Sequence, residues 1–126
     1  MTIMKATILA EDTSILVCFK PPGIAVQSAR LGEADMVSEL KNYLGGRNPY
    51  LGVVHRLDQP VCGILVFAKT PEAAAELSRQ AAHGSGQETG KNKKQARFME
   101  KDYCALVYTG EADPDPVPGR SITLTD

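Results

Sequence analysis

The chain has 126 residues, of which 43% are apolar and 23% are charged, and its formal net charge is −1. These values are ordinary for a globular protein, so they exclude wholesale disorder, and the length allows one domain with a modest core. No apolar run approaches the roughly 18 residues of a membrane span, so we expect a cytoplasmic protein with no membrane partner.

The first predicted elements form a hairpin. Residues 6–10 and 14–19 are apolar and β-branched, and Glu11-Asp12-Thr13 separates them, which is typical of two strands joined by a turn. Lys20-Pro21-Pro22-Gly23 should end the second strand, because proline fixes φ and cannot donate to a ladder.

Two helices carry clear boundary signals. Asp35 is a capping residue, the apolar positions 36, 37, 40, 43 and 44 form a helical stripe, and Gly45-Gly46 closes it. Thr70-Pro71-Glu72 combines a capping hydroxyl, a proline at the first position and a carboxylate near the positive end of the helix dipole. It starts an alanine-rich helix that should reach about Ala82.

The remaining segments complete an α+β pattern. Residues 51–54 and 63–68 are predicted strands, and the turn between them holds Asp58 at its tip. We expect residues 84–95 to form a mobile loop, residues 97–108 an approach segment plus a strand, and the proline-rich residues after 110 an extended tail. The order of elements predicts helices packed on a mixed or antiparallel sheet.

The three cysteines predict neither a metal site nor a disulfide framework. They are odd in number and more than 40 residues apart, whereas metal sites and disulfide scaffolds use paired, closely spaced cysteines. We expect Cys18, Cys62 and Cys104 to be reduced thiols in or near the core, with Cys62 close to Asp58.

Three ordered motifs carry a family resemblance: Lys20-Pro21-Pro22-Gly23, His55-Arg56-Leu57-Asp58 and Lys101-Asp102-Tyr103. Together they resemble the RluA-type family of RNA pseudouridine synthases. The resemblance implies a pseudouridine synthase-like sheet, ribosomal or transfer RNA as partner, and isomerisation of uridine to pseudouridine. It implies neither a metal nor an organic cofactor.

The resemblance also implies roles for individual side chains. Asp58 matches the catalytic aspartate, and Tyr103 matches an active-site tyrosine whose flat face suits a flipped uracil. Arg56 matches an arginine that can stack on bases and bond phosphates. Local sequence alone leaves open an ordinary turn aspartate, a core tyrosine and a surface ion pair for these three. His55 is expected to be a structural histidine.

Residues 81–101 hold five basic side chains against two acidic ones. Such a local excess can neutralise RNA phosphates without reading sequence. A solvated loop is the alternative, since the net charge of −1 is unlike that of most nucleic-acid binders. The predicted RNA contacts in this region are Lys91, Lys93, Lys94, Arg97 and Lys101.

The chain departs from the family pattern in two places. Val61 and Cys62 stand where the family has a small hydroxyl residue, and no later arginine motif, whose arginine would pair with Asp58, precedes Asp126. We therefore expect residues 1–110 to be the N-terminal half of a catalytic domain that is incomplete at its C-terminus. Residues 111–126 would form the tail leading into the missing half.

This incompleteness has predicted consequences. An uncovered sheet edge favours a homodimer or other association, and the isolated chain should have low or no activity, with Asp58 exposed or raised in pKa. One alternative is an RNA-binding fragment without chemistry. Another is a different aspartate-dependent enzyme, such as a glycosidase, with its second carboxylate among Glu72, Glu100 and Asp102.

Overall fold

The computed structural model describes residues 6–82 and 99–107. In chain order the elements are β1 (Thr7–Glu11), β2 (Ile15–Lys20), α1 (Met36–Leu44), β3 (Gly52–Val53), β4 (Gly63–Ala68) and α2 (Pro71–Ala82). The α+β class, the hairpin, both helices and the two strands around Asp58 are confirmed, although β3 is shorter than predicted.

The four strands form one sheet in the order β1-β2-β4-β3, and every paired neighbour is antiparallel. Pairing is longest between the two central strands, where β2 and β4 run in register from Ile15↔Ala68 to Lys20↔Gly63. Because side chains alternate along a strand, this register places Leu16 beside Phe67 and Cys18 beside Leu65 on one face. All four are fully buried.

Helix α1 shares one hydrophobic cluster with these four side chains and is capped as predicted. The Asp35 carboxylate accepts the backbone N–H of Ser38 at 2.7 Å, and Gly45 ends the helix with a φ of 73°. Met36 and Leu40 are fully buried in the core. The first turn of α1 is also bonded to the segment before the helix, where the carbonyls of Ala25 and Val26 accept the N–H groups of Met36 and Val37.

Helix α2 packs on β3 and β4 through small residues. A Cβ atom placed on Gly52 would lie 3.0 Å from the Cβ of Ala74 and 3.2 Å from that of Ala68, which is closer than ordinary van der Waals contact. Gly52 thus allows the helix to approach the sheet. The Thr70 hydroxyl accepts the N–H of Ala73 at 3.2 Å and caps the start of α2.

The predicted strand around Tyr103 is wrong for this structure. Residues 99–107 form no strand, and residues 100–107 are exposed. Met99 donates its N–H to the carbonyl of Gln80 at 3.2 Å, which ties this segment to α2 and not to a sheet edge. A strand needs a neighbouring ladder, and neither edge strand of the sheet, β1 or β3, provides one here.

Two further expectations, the loop at 84–95 and the tail at 111–126, lie outside the described residues. Within the described ranges, no helix has the length and apolar character needed to cross a membrane.

Candidate active site

Asp58 begins a tight turn between β3 and β4. The carbonyl of Asp58 accepts the N–H of Val61 at 3.0 Å, and the residue is exposed. The preceding Leu57 packs against the core and lies so close to Gly63 that a Cβ there would be 3.0 Å from its side chain. The turn is therefore anchored on both sides while Asp58 is exposed, which is one of the two states expected for it.

The side chain of Lys20 binds the backbone of this turn. It is fully buried, and its Nζ donates to the carbonyls of Pro21 at 3.0 Å, Gln59 at 2.9 Å and Val61 at 2.5 Å. An ammonium group has three donors, so these three acceptors match its hydrogen-bonding capacity. A buried charge that is satisfied in this way fixes the backbone of residues 59–61.

The turn at Gly23 makes a second connection. Gly23 donates its N–H to the carbonyl of Gln59 at 2.8 Å, and the Gln59 side-chain amide donates back to the Gly23 carbonyl at 3.0 Å. Gly23 has a φ of 94°, a conformation that strongly favours glycine. The first and second sequence motifs therefore form one hydrogen-bonded unit, which we call the Asp58 turn (Lys20–Gly23 with Asp58–Val61).

Electrostatics link Lys20 to Asp58. Burial lowers the pKa of the Lys20 ammonium, and the negative charges of Cys62 and Asp58, when present, act in the opposite direction. Lys20 therefore lies near Asp58, which forms no ion pair within the described part of the chain. The sequence indicates the buried position of Lys20, because Lys20 continues the alternation by which Leu16 and Cys18 face the core.

His55 supports the start of the same loop. Its Nε2 accepts the N–H of Val66 at 3.0 Å, which requires a neutral ring with its proton on Nδ1. Burial, together with the positive charge of Lys101, lowers the pKa of His55 from its ordinary value of 6.5. His55 is therefore structural, as expected, and Lys101 lies near enough for its charge to act on this loop.

This hydrogen bond predicts a pH dependence of stability. The folded chain favours neutral His55, so the unfolded chain binds more protons, and stability should fall as the pH drops below about 6.5 towards the lower folded pKa. His55→Gln keeps an acceptor near the Nε2 position but cannot titrate. Urea unfolding between pH 8 and pH 5 should show a shallower loss for this variant than for the parent, and identical slopes would contradict the assignment.

Arg56 is exposed, and its guanidinium donates to the Gln27 side-chain oxygen at 3.2 Å. Among the described residues, the hydrogen-bond partner of Arg56 is a neutral amide and no carboxylate forms an ion pair with it. Within this part of the chain, no acidic side chain therefore offsets the charge of Arg56.

The remaining predicted residues differ in exposure, and some of them lie outside the described residues. Tyr103 is 67% exposed, which excludes the core-tyrosine alternative, but its proximity to Asp58 stays a prediction. Cys18 is buried, and burial raises its pKa to about 11. Cys62 and Cys104 are exposed, so only one thiol belongs to the core. Four predicted RNA contacts lie outside the described residues: Lys91, Lys93, Lys94 and Arg97.

Gln27 is the site residue that sequence reasoning missed. It is an exposed polar residue in an irregular segment, and its partner is 29 positions away. No local pattern signals such a contact.

Comparisons with known proteins identify a family for this chain. The family described as RNA pseudouridylate synthase matches residues 14–121. The chain is 34% identical over 116 residues to ribosomal large subunit pseudouridine synthase D of Nitrosomonas europaea, covering 87% of this chain and 29% of that protein. It is 38% identical over 108 residues to the dual-specificity RNA pseudouridine synthase RluA of Vibrio vulnificus, covering 86% and 37%.

A third relative, tRNA pseudouridine synthase C of Haemophilus ducreyi, is 28% identical over 82% of this chain and 37% of its own length. The solved structure of human RNA Pseudouridylate Synthase Domain Containing 4 is similar with a TM-score of 0.45 and 27% identity, covering 56% of this chain and 27% of that one. The chain thus spans about a third of the length of these curated relatives. With its family profile matched over most of its length, the chain belongs to the RNA pseudouridylate synthase family.

Proposed function

We propose that this chain carries the catalytic aspartate of an RNA pseudouridine synthase and converts uridine to pseudouridine in structured RNA through Asp58. The observation that carries the proposal is the Asp58 turn. It displays an exposed carboxylate on a backbone held by a buried ammonium, two residues from a guanidinium that no carboxylate neutralises in the described region.

The reaction requires little from the protein beyond a positioned carboxylate. The bond from uracil N1 to C1′ breaks, a bond from C5 to C1′ forms, C5 loses its proton and N1 gains one, with no net redox change. Asp58 can act as a nucleophile on the sugar or base, or can remove a proton from the sugar. A metal or an organic cofactor has no role in this proposal.

RNA contact is the second part of the proposal. Extruding a uracil from folded RNA costs a few kcal/mol, which contacts from the protein must offset. Arg56 supplies a charged, planar group for phosphate or base stacking, and Lys101 adds positive charge near His55. We assign Tyr103 as the face against which the uracil packs, and Lys91, Lys93, Lys94 and Arg97 as phosphate contacts.

The relatives suggest the class of RNA. Their names include a ribosomal large subunit synthase, a tRNA synthase and a dual-specificity enzyme. We infer that the substrate is ribosomal or transfer RNA and that the protein acts in the cytoplasm.

A second candidate function is RNA binding without turnover. One observation favours it: Asp58 has no ion pair in the described part of the chain. An exposed carboxylate without a paired cation lacks the preorganised environment that accelerates most enzyme reactions. We therefore expect the chain alone to be slow.

The two functions separate in one experiment. Cellular RNA carrying tritium at uracil C5 is incubated with excess chain, and tritium release and RNA retention on a filter are measured in the same samples. Slow release would establish the synthase. Retention without release would favour the binding fragment, and neither signal would overturn both proposals.

Association of two copies is a further part of the proposal. The outer edge of β1 has no strand neighbour in the described sheet, and Leu9 on β1 is 51% exposed. Uncovered edges favour pairing with another chain. Sedimentation velocity at increasing protein concentration tests this, and a monomer throughout would exclude it.

A further inference from the structure

We propose that Gln27 is a positioning residue for Arg56: it orients the guanidinium towards RNA without neutralising its charge. The inference rests on the proposed role of Arg56 in RNA contact. The observation behind it is the hydrogen bond from Arg56 Nη2 to Gln27 Oε1, at 3.2 Å, between residues that are far apart in sequence.

The backbone on both sides of Gln27 is fixed by the start of α1. The carbonyl of Val26 accepts the N–H of Val37 at 3.1 Å, and the N–H of Ser28 donates to the Asp35 carboxylate at 2.8 Å. Asp35 is itself buried and caps the helix. Gln27 therefore extends its side chain from a rigid support, although it lies in a segment without regular structure.

Arg56 is supported from the other direction. Its neighbour Leu57 packs against the hydrophobic core, and Asp58 begins the turn that Lys20 holds. The guanidinium, however, is exposed and lies at the end of a long side chain. Such a side chain loses rotamer freedom when it is ordered. A partner that orders it before RNA arrives reduces this cost at the binding step.

The chemical identity of the acceptor matters. A guanidinium has five N–H donors, so one bond to an amide leaves most of them for phosphate oxygens or a base edge. A carboxylate at position 27 would hold Arg56 more firmly but would offset its positive charge, which attracts RNA phosphates. Glutamine orients the group and preserves the charge, so glutamate and an isosteric apolar residue should fail for opposite reasons.

The test combines RNA affinity with a double-mutant cycle. The 126-residue chain is titrated with a fluorescently labelled RNA stem–loop whose loop contains uridine, and Gln27→Met, Arg56→Ala and the double variant are compared. Gln27→Met keeps the side-chain length and removes the acceptor. It should weaken binding by about three- to tenfold, the range expected for one lost hydrogen bond, and should have no further effect when Arg56 is already alanine.

Two further variants sharpen the result. Gln27→Glu should weaken RNA binding and reduce its salt dependence, although it strengthens the contact with Arg56. Gln80→Met removes a glutamine hydrogen bond to Glu76 on α2 and should leave RNA affinity unchanged. Thermal unfolding of each variant shows whether the fold is kept.

A second readout uses the free protein. In ¹⁵N NMR of the arginine side chains, the Arg56 resonance should become more mobile in Gln27→Met, with Arg56→Lys giving the assignment. Unchanged mobility would overturn the proposal, as would additive losses in the double variant, which would mean that Gln27 acts independently of Arg56. If Arg56→Ala binds RNA as tightly as the parent, the RNA-contact role of Arg56 is wrong, while the NMR result still decides whether Gln27 orders it.

Discussion

Asp58→Asn is expected to abolish tritium release from RNA labelled at uracil C5, with a loss of at least about a thousandfold under single-turnover conditions. The amide keeps the size and shape of the carboxylate but is neither a nucleophile nor a base at neutral pH. Both routes open to Asp58, attack on the sugar or base and proton abstraction, require the carboxylate. The rate of tritium release by excess enzyme is the direct measurement.

The substitution should leave the fold and RNA affinity close to those of the parent. Asp58 is exposed, and in the described region its backbone carbonyl accepts the N–H of Val61, which asparagine retains. Exposed substitutions of this kind change the free energy of unfolding by less than about 0.5 kcal/mol. Loss of release with unchanged RNA retention would therefore place the defect in the chemistry.

Glu72→Gln provides the matched control. Glu72 is an exposed carboxylate in the first turn of α2 and has no role in the proposed reaction, so its variant should release tritium at the parent rate. Equal activity of Asp58→Asn and the parent would disprove the role of Asp58. Loss of activity in both variants would instead favour an enzyme that uses two carboxylates.

The sequence predicted those parts of the fold that local chemistry determines. Asp35 before an apolar stripe, Gly45 after it, and Thr70-Pro71 before an alanine-rich run set helix boundaries within a residue or two, because capping is decided by nearby backbone groups. The strand around Tyr103 failed for the opposite reason. Its alternation is suitable, but pairing depends on a distant neighbour that the described residues do not provide.

The candidate site divides in the same way. The turn carrying Asp58 could be located from its motif, whereas its support could not, since the partners of Lys20 lie 39 and 41 positions away along the chain. Lysine is rarely fully buried. Its residue type therefore argued for a surface position, although the alternation of β2 places Lys20 towards the core. Arg56 was identified by resemblance, but its neutral partner Gln27 became visible only in three dimensions.

Lys20→Met is expected to lower the free energy of unfolding by about 2–3 kcal/mol and to remove most of the activity that remains in the folded fraction. Methionine can fill the space of the aliphatic stem but leaves the carbonyls of Pro21, Gln59 and Val61 without their donor. Gln59 and Val61 are exposed, so water can replace part of the loss, which keeps the expected cost below that of a fully buried broken pair.

The effect on activity should exceed the effect on folding. Without the ammonium, residues 59–61 lose their anchor, and the positive charge close to Asp58 disappears. Urea unfolding measures stability, and tritium release in buffer without denaturant, corrected for the folded fraction, measures the catalytic contribution. A Lys20→Met chain that folds but keeps parent activity would show that Lys20 supports only the fold.

Lys69→Met is the control variant for Lys20→Met. Lys69 follows the other end of β4, forms a 2.7 Å ion pair with Glu11 and also donates to the carbonyl of Asp12 at 2.7 Å. These contacts are partly exposed, so their loss should cost about 0.5–1 kcal/mol and leave the activity per folded molecule unchanged. The same lysine-to-methionine change at two ends of one sheet thus separates a surface ion pair from a buried ammonium that organises the Asp58 turn. Equal losses of stability and activity at both positions would show that the burial of Lys20 confers no special role.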